Sequence, residues 1–290
     1  MIRCIASDMD GTLLNSKQEI SKKNREAIFF AKNHGVEVVI ATGRSYEEAK
    51  FILEESDIIC PIIAVNGAEI RNKNGEIVRT NGMSGATAST IAKVLNQLGI
   101  HFEIYTNKGK YTEDINESIN IIVDIYKSAN PNKTVGEIRS VVEEKFSTGL
   151  THRLNDYNEI FSNSEYIIYK FVVFSRDRDL LTRANASLKA LKEIKITSSG
   201  KNNLEINHIH AQKGIALKDF VEERGITLKE TMAIGDNFND LSMLKMAGHP
   251  VAMGNAESEI KEVVATHTST NDEDGVGKAI YQLLNAQLKG

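Results

Sequence analysis

Four aspartates in two widely separated clusters are the residues best suited to chemistry in this 290-residue chain. Asp8 and Asp10 lie near the N-terminus, Asp236 and Asp240 lie near the C-terminus, and each cluster closely follows a short apolar run. Such runs are typical of buried strands, and ligands of an open parallel sheet bind beyond the carboxyl ends of its strands. Carboxylates gathered at that edge repel one another, and a divalent cation would relieve the repulsion. Their oxygen atoms suit Mg²⁺, which commonly binds a substrate phosphate as well.

The two clusters are suited to different tasks. Two carboxylates separated by one residue, as Asp8 and Asp10 are, can act as a nucleophile and as a general acid or base. Gly11 then permits the tight turn that would direct both side chains towards a common point. In the second cluster, Asp236 is the better candidate for a metal ligand, whereas Asp240 could simply cap the next helix.

Two short motifs follow the second and third apolar runs. Thr42-Gly43-Arg44 offers a hydroxyl and backbone N–H groups that can hold an anion, although Thr-Gly turns after strands are usually only structural. Asn66-Gly67 can be interpreted either as a turn or as a substrate contact. Each motif by itself is a weak indication of a binding site.

Lys213 is unusual because it lies at the predicted start of a helix and is followed by Gly214. A lysine at this end of a helix opposes the helix dipole and is a poor stabiliser. A role in neutralising a phosphate therefore explains Lys213 better than the alternative of a solvated surface lysine.

The elements that must position these residues alternate between strand and helix, which predicts a doubly wound parallel sheet of the α/β class. Ser21 can cap a first helix that ends at Gly35. Asn74-Gly75 predicts a hairpin with a two-residue loop between residues 69–71 and 77–79. The other predicted elements here are strands over residues 2–6, 36–41 and 62–65 and a helix over residues 46–55.

Residues 84–208 carry their own strands and helices and are predicted to form an inserted α/β domain. Residues 1–83 and 209–290 then form one discontinuous domain, and the insert is placed where it can cover the carboxyl edge of that domain's sheet. The predicted insert elements are helices over 86–98, 114–127 and 179–192 and strands over 102–105 and 166–174, with two short strands before Lys213. The predicted elements after the insert are helices over 213–224 and 276–288 and strands over 231–234 and 250–253.

The composition is that of an ordinary soluble protein, with 41% hydrophobic and 26% charged residues. The net charge of −4 argues against nucleic acid or an anionic membrane as the main partner. No apolar run approaches the length of a membrane span and the N-terminus lacks a signal-peptide pattern, so we expect a cytoplasmic protein. Cys4 and Cys60 are expected to be buried, reduced thiols.

Taken in order, these motifs resemble the four motifs of the haloacid dehalogenase (HAD) superfamily. The resemblance rests on Asp8-Met9-Asp10-Gly11-Thr12, Thr42-Gly43-Arg44, Lys213 and Gly235-Asp236-Asn237-Phe238-Asn239-Asp240. The place of the insert is similar to that in the Cof-type phosphatases (subfamily IIB), as are Asn66-Gly67-Ala68, residues 251–256 and Asp274-Gly275-Val276. The resemblance covers nearly the whole core and implies a Rossmann-like HAD core with an inserted α/β cap domain.

The resemblance also implies a phosphatase that works through an aspartyl-phosphate. Asp8 would attack phosphorus, and Asp10 would protonate the leaving alcohol and then activate water. Mg²⁺ would be held by the Asp8 carboxylate, the Asp10 carbonyl and Asp236, with Asp240 in the same metal site or beside it. The expected phosphate-binding residues are Thr42, Gly43, Lys213 and Asn239, and the possible substrate contacts are Asn66, Gly67 and Arg44.

The expected substrate is a small phosphorylated metabolite such as a sugar phosphate, and the expected state is a monomer or a weak homo-oligomer. A sugar phosphomutase is an alternative, because it shares the phosphoenzyme but returns the phosphoryl group to its substrate. A non-catalytic phospho-acceptor signalling domain is a second alternative, since it also combines acidic residues with a threonine and a lysine. Such domains are shorter than this chain and lack an insert. Asp10 also argues against a long-lived phosphorylated state in this chain, because a nearby acid or base would promote hydrolysis of a phosphorylated aspartate.

Overall fold

The structure, a computed structural model, describes residues 1–129, 133–147, 151–198 and 202–289. The chain divides into two compact units, which we call the core (Met1–Asn81 with His210–Gly290) and the insert (Gly82–Ile209). The boundaries predicted from the sequence lie within two residues of these limits.

The first part of the core alternates strands and helices and ends in a hairpin. The helices start at well-formed caps: Ser21 accepts the backbone N–H of Asn24, and Ser45 and Glu48 form a capping box. The elements are β1 (Cys4–Ser7), α1 (Lys22–Asn33), β2 (Glu37–Ala41), α2 (Tyr46–Glu55), β3 (Ile62–Ala64), a 3₁₀ turn (Val65–Gly67), β4 (Glu69–Arg71) and β5 (Ile77–Thr80).

The insert is a second α/β unit with its own six-stranded sheet. Its elements are α3 (Gly85–Gln97), β6 (Phe102–Thr106), β7 (Gly109–Thr112), α4 (Ile115–Ala129), α5 (Val135–Ser147), β8 (Thr151–Arg153), α6 (Asn158–Phe161), β9 (Ile168–Phe174), α7 (Arg178–Leu188), β10 (Ile194–Thr197) and β11 (Asn203–His208). The strand order is β10-β11-β9-β6-β7-β8. Phe102, Phe171 and Ile206 belong to the apolar core that supports this sheet.

The chain then returns to the core and adds two strands to its sheet. The elements are α8 (Lys213–Glu222), a 3₁₀ turn (Leu228–Glu230), β12 (Thr231–Gly235), a 3₁₀ turn (Phe238–Asp240), α9 (Leu241–Met246), β13 (His249–Ala252), α10 (Ser258–Val263), a 3₁₀ turn (Asn271–Glu273) and α11 (Gly275–Lys289). Each end of the helices and strands predicted for this part of the chain lies within two residues of its observed position.

The core sheet has the strand order β13-β12-β1-β2-β3-β4-β5. The first five strands are parallel, and β4 and β5 add an antiparallel edge. Ser7 at the end of β1 pairs with Ile234 of β12 and Ile40 of β2. The carboxyl ends of these strands therefore meet at one edge, with the wholly buried β1 at the centre. This is the doubly wound sheet that the sequence predicted.

The hairpin prediction was wrong in its loop length. The backbone N–H of Asn72 donates to the Glu76 carbonyl at 3.0 Å, and the N–H of Gly75 donates to the Asn72 carbonyl at 2.9 Å. The loop is therefore three residues long, with Gly75 at a left-handed φ of 86°. A glycine in this conformation serves both loop lengths, which is why the Asn-Gly signal did not separate them.

Several insert elements were not predicted at all. These are β7, α5, β8 and α6. The strands β7 and β8 are only four and three residues long and carry little apolar pattern, so they depend on the neighbouring strands of the sheet for their definition. The predicted ends also differ: β9 begins at Ile168 rather than Tyr166, and α7 ends at Leu188 rather than Lys192.

Two further expectations concern the thiols and the membrane. Cys4 and Cys60 are both buried and free, as predicted. Burial raises the pKa of each thiol to about 12, so neither forms a reactive thiolate at neutral pH. Within the ranges described, no helix is long and apolar enough to cross a membrane.

Candidate active site

The carboxyl edge of the core sheet brings together residues from four neighbouring strands. These residues are Asp8 after β1, Thr42 after β2, Asn66 after β3 and Asp236 after β12. Because the four strands are parallel, the segments that follow them leave the sheet on the same side. Lys213 joins this group from the first turn of α8.

Lys213 is the centre of the site. Its side chain is 0% exposed, and its ammonium group donates to Asp8 Oδ1 at 2.6 Å and to Asp240 Oδ1 at 2.7 Å. Burial alone would lower the pKa of Lys213, but the two carboxylates raise it above its ordinary value, so the side chain stays charged. The alternative of a solvated surface lysine is therefore wrong.

Lys213 reaches this position because the start of α8 packs tightly against α9. A Cβ atom on Gly214 would lie 2.4 Å from the backbone carbonyl of Ser242, so only glycine fits there. The Ser242 hydroxyl accepts the backbone N–H of Gly214 at 3.0 Å. In the sequence, the Lys213-Gly214 pair indicated a close approach at this helix start, but nothing indicated that Ser242 would be the partner.

Three aspartates lie close enough together to share one metal ion. One oxygen atom from each of Asp8, Asp236 and Asp240 lies within 4.8 Å of the other two. Burial raises the pKa of Asp8 well above its ordinary range; the charge of Asp240 adds to the rise, and Lys213 opposes it. Burial and Asp240 also raise the pKa of Asp236 to about 6. One lysine cannot neutralise three carboxylates, and this oxygen-rich set of donors fits a divalent cation such as Mg²⁺.

Asp240 also holds the turn that follows β12. Its Oδ2 accepts the backbone N–H groups of Asp236 and Asn237, each at 3.0 Å, while its Oδ1 accepts the ammonium of Lys213. Both oxygen atoms are thus engaged. Asp240 is a cap, as the sequence allowed, and it also fixes Lys213 relative to Asp236.

The turn after β1 packs directly on Asp236. Gly11 has a left-handed φ of 76°, and a Cβ atom there would lie 2.4 Å from Asp236 Oδ2. The Thr12 hydroxyl donates to Asp236 Oδ1 at 2.8 Å, and Asn255 Nδ2 donates to the Gly11 carbonyl at 2.7 Å. Thr12 and Asn255 belong to the motifs of the sequence, but the motifs did not indicate what either residue contacts.

Asp10 lies outside the buried cluster. Its side chain is 48% exposed, and Arg44 donates to both of its oxygen atoms, from Nε at 2.7 Å and from Nη2 at 2.5 Å. The same Nη2 donates to Gln18 Oε1 at 2.5 Å. The structure therefore brings Arg44, a possible substrate contact in the sequence analysis, to the candidate acid or base. Gln18 was not predicted to take part in the site.

The turns after β2 and β3 are joined by backbone hydrogen bonds. The N–H of Asn66 donates to the Thr42 carbonyl, and the N–H of Val65 donates to the Arg44 carbonyl, both at 2.9 Å. Val65 and Asn66 adopt left-handed φ values of 49° and 58°. This conformation is rare for a β-branched residue such as Val65, and it is typical of functional turns. Asn239 Nδ2 donates to Asn66 Oδ1 at 3.1 Å, so these two predicted residues form one polar pair.

The two predicted glycines lie in the same turns. A Cβ atom on Gly43 would come within 3.1 Å of Asn66 Oδ1, and one on Gly67 would come within 2.7 Å of the Gln212 carbonyl, next to Lys213. The residues that the sequence assigned to phosphate binding are thus packed around one edge of the core sheet, as their places in the fold require.

Comparison with known proteins decides the family. The model of the haloacid dehalogenase-like hydrolase family matches residues 5–280, which is nearly the whole chain. The chain belongs to this family.

Several relatives of this HAD-like hydrolase carry phosphatase names. The 5-amino-6-(5-phospho-D-ribitylamino)uracil phosphatase YwtE of Bacillus subtilis is 39% identical over 99% of both chains. The pyridoxal phosphate phosphatase YbhA of Escherichia coli is 25% identical over 97% of this chain and 98% of its own. The structure of a haloacid dehalogenase-like hydrolase from B. subtilis superposes with a TM-score of 0.87 at 33% identity, covering 97% of this chain and 100% of that one.

These comparisons confirm the superfamily, the fold class and the enzyme class that the sequence predicted. The protein is a HAD-type phosphatase with a Rossmann-like α/β core.

Proposed function

We propose that this HAD-type phosphatase is a Mg²⁺-dependent phosphomonoester hydrolase that works through a phosphorylated Asp8. The observation that carries the proposal is the buried contact between Lys213 and Asp8, beside the three-carboxylate cluster. A carboxylate nucleophile needs a cation beside it if it is to approach a phosphate dianion, and Lys213 is the buried cation available to Asp8 in the structure.

In the first step, a carboxylate oxygen of Asp8 attacks phosphorus, and the bond between phosphorus and the ester oxygen breaks. Asp10 gives its proton to the departing oxygen, so that an alcohol leaves rather than an alkoxide. Lys213 stabilises the negative charge on the transferring phosphoryl group, and Thr42, Gly43 and Asn239 hold its oxygen atoms.

In the second step, water attacks phosphorus and the bond between phosphorus and Asp8 breaks, which releases inorganic phosphate. Asp10, now ionised, accepts the proton of the attacking water and is thereby ready for the next turnover. The same residue thus serves as acid and then as base.

Asp8, Asp236 and the carbonyl of Asp10 are the proposed ligands of Mg²⁺, with Asp240 supporting Asp236 and Lys213. When bound, the ion supplies positive charge that keeps the crowded carboxylates ionised and shields the incoming phosphate. The pKa values of Asp8 and Asp236 are raised mainly by burial, with the charge of Asp240 adding to the rise, so a bound cation would favour their ionised forms, which supports this assignment.

The proposed substrates are small phosphorylated metabolites. The names of two relatives support this class, since one relative is named for a phosphorylated ribitylaminouracil and the other for pyridoxal phosphate. Sugar phosphates belong to the same class of small phosphomonoesters and should be tested beside these two compounds.

Phosphate release should therefore be measured across such a panel, with Mg²⁺ and with EDTA, and ranked by kcat/KM. Hydrolysis that needs Mg²⁺ and is abolished by Asp8→Asn is the expected result. Asp57→Asn is the matched control, because Asp57 is an exposed aspartate of the core whose partner is Arg25. Full activity in EDTA would remove the metal from the proposal, and interconversion of sugar phosphates without free phosphate would show a phosphomutase instead.

A further inference from the structure

Asp10 differs from the other three aspartates of the site in how it is held. The side chains of Asp8 and Asp240 are 6% and 0% exposed and both contact Lys213, whereas the side chain of Asp10 is 48% exposed. In the part of the chain that the structure describes, Arg44 is the one residue that pairs with the Asp10 carboxylate. It does so through both oxygen atoms, at 2.7 and 2.5 Å.

The backbone of Arg44 is fixed on both sides. Its N–H donates to the Thr42 hydroxyl at 3.1 Å, and its carbonyl accepts the N–H of Val65 at 2.9 Å. The guanidinium group therefore extends from a backbone that is tied to the ends of both β2 and β3. A bidentate pair between a guanidinium and a carboxylate has a defined plane and direction, which a single lysine contact would not give.

Gln18 provides a second support for the guanidinium. It lies at the tip of a turn in which its N–H donates to the Asn15 carbonyl at 2.9 Å and the Asn15 N–H donates to the Glu19 carbonyl at 3.0 Å. Gln18 adopts a left-handed φ of 65°, a backbone conformation that residues other than glycine, asparagine and aspartate seldom adopt. From this position its Oε1 accepts Arg44 Nη2 at 2.5 Å.

We propose that Arg44, supported by Gln18, is a positioning residue for the acid/base Asp10. This inference rests on the proposed function, and it assigns Arg44 to the carboxylate rather than to the substrate. An aspartate that is half exposed and lies on a turn would otherwise sample several side-chain orientations. Proton transfer requires one of them, because the carboxyl oxygen must lie within hydrogen-bond reach of the leaving oxygen or of the attacking water.

A double-mutant cycle of Arg44→Met and Asp10→Asn tests this inference. The two single variants and the double variant are compared on an alkyl phosphate, such as a sugar phosphate, and on p-nitrophenyl phosphate. If Arg44 acts through Asp10, Arg44→Met lowers kcat by about 10- to 100-fold on the alkyl phosphate with little change in KM. The double variant is then no slower than Asp10→Asn alone.

The kinetics with p-nitrophenyl phosphate, which has a better leaving group, provide an independent test of the same variants. The p-nitrophenolate group departs without needing a proton, so the first step depends less on Asp10, while the water step still needs the base. Both single variants should therefore release a burst of p-nitrophenolate before a slow steady state. Methylguanidine added to Arg44→Met should restore part of the rate, and Arg44→Lys should retain more activity than Arg44→Met.

Arg25→Met is the matched control, because it also removes an arginine–aspartate pair from the core but at an exposed position. Gln18→Gly is compatible with the left-handed turn and removes the side chain whose amide oxygen accepts Arg44, so it should lower kcat in the same direction by a few fold. This variant keeps the test informative if Arg44→Met unfolds.

The outcomes separate the inference from the function on which it rests. Additive losses, or a rise in KM that is equal for both substrates, would make Arg44 a phosphate ligand and overturn the positioning role. A variant that matches Arg25→Met in all respects would overturn it as well. Absence of phosphate release by the unmodified protein on every substrate would refute the proposed function itself.

Discussion

Replacing Asp236 by asparagine should stabilise the metal-free protein above about pH 6. Burial and the charge of Asp240 raise the pKa of Asp236 to about 6, from an ordinary value of 3.8. A rise of this size corresponds to at most about 3 kcal/mol of folding free energy, since each pKa unit is worth about 1.4 kcal/mol. Asparagine carries no charge, and its amide oxygen can still accept the hydrogen bond from Thr12.

The sign of the effect follows from proton binding. Between the ordinary pKa of Asp236 and its raised value, the folded protein binds more protons than the unfolded chain does. The stabilising contribution of the protonated Asp236 carboxyl group to the wild type is therefore complete below about pH 4 and is lost as the pH rises to about 6. The asparagine variant has no such loss, so the difference between the two proteins opens with rising pH.

Thermal unfolding in EDTA from pH 4 to pH 8 measures this difference. For a domain of roughly the size of the core, each kcal/mol shifts Tm by about 2–4 °C, so the variant should exceed the wild type by up to about 6–12 °C at pH 7.5 and by almost nothing at pH 4. Added Mg²⁺ should raise the Tm of the wild type, by about 2.7 kcal/mol of stability at 100 times its Kd, and should leave the variant nearly unchanged.

Asp57→Asn is the control for a general effect of removing one negative charge, because the side chain of Asp57 is 76% exposed. The Tm difference between Asp57→Asn and the wild type should not follow the pH dependence expected for Asp236→Asn. A Tm difference for Asp236→Asn that is independent of pH, or an equal response of both proteins to Mg²⁺, would refute the electrostatic account of this cluster.

Three other substitutions test separate contacts of the site. Lys213→Met should abolish phosphate release and, in EDTA, cost about 3–5 kcal/mol in urea unfolding, because it leaves two buried aspartates without their cation; a stable, active variant would contradict this. Gly214→Ala should lower both Tm and kcat, because its Cβ would lie 2.4 Å from Ser242, and unchanged values would mean that α8 can shift freely. Thr12→Val should weaken Mg²⁺ binding by about 10-fold in calorimetry without changing the fold, since the hydroxyl orients Asp236; equal affinity would rule that role out.

The fold could be predicted because the apolar runs, the helix caps and the glycine turns all favoured the same arrangement. The strand β1 is wholly buried and the residues after it are acidic, so the place where the chain leaves the sheet is marked in the sequence itself. The insert was predicted less completely, because β7 and β8 are short strands whose definition depends on their neighbours in the sheet rather than on their own residues.

The candidate site was also predicted only in part: the sequence indicated several of its residues but not the contacts between them. The sequence indicated Lys213, because a lysine at the start of a helix is locally unfavourable and needs a partner elsewhere. It did not indicate that Arg44 pairs with Asp10, because the two residues are 34 positions apart and their contact depends on the exact course of two turns. The contact of Thr12 with Asp236 and the contact of Gln18 with Arg44 were not predicted for the same reason, since an ordinary polar residue in a turn carries no sign of which distant atom it contacts.

The charges of the site also indicate an order of binding. When Asp8, Asp236 and Asp240 are all ionised, they carry three negative charges against the single positive charge of Lys213, and an ionised Asp10 is balanced by Arg44. A phosphate dianion that enters this edge of the sheet alone would meet net negative charge in a place where burial strengthens the repulsion. A divalent cation removes that excess, so we expect Mg²⁺ to bind before the substrate. Inorganic phosphate, as the product, should accordingly bind far more weakly in EDTA than in Mg²⁺, and this dependence should be lost in Asp236→Asn.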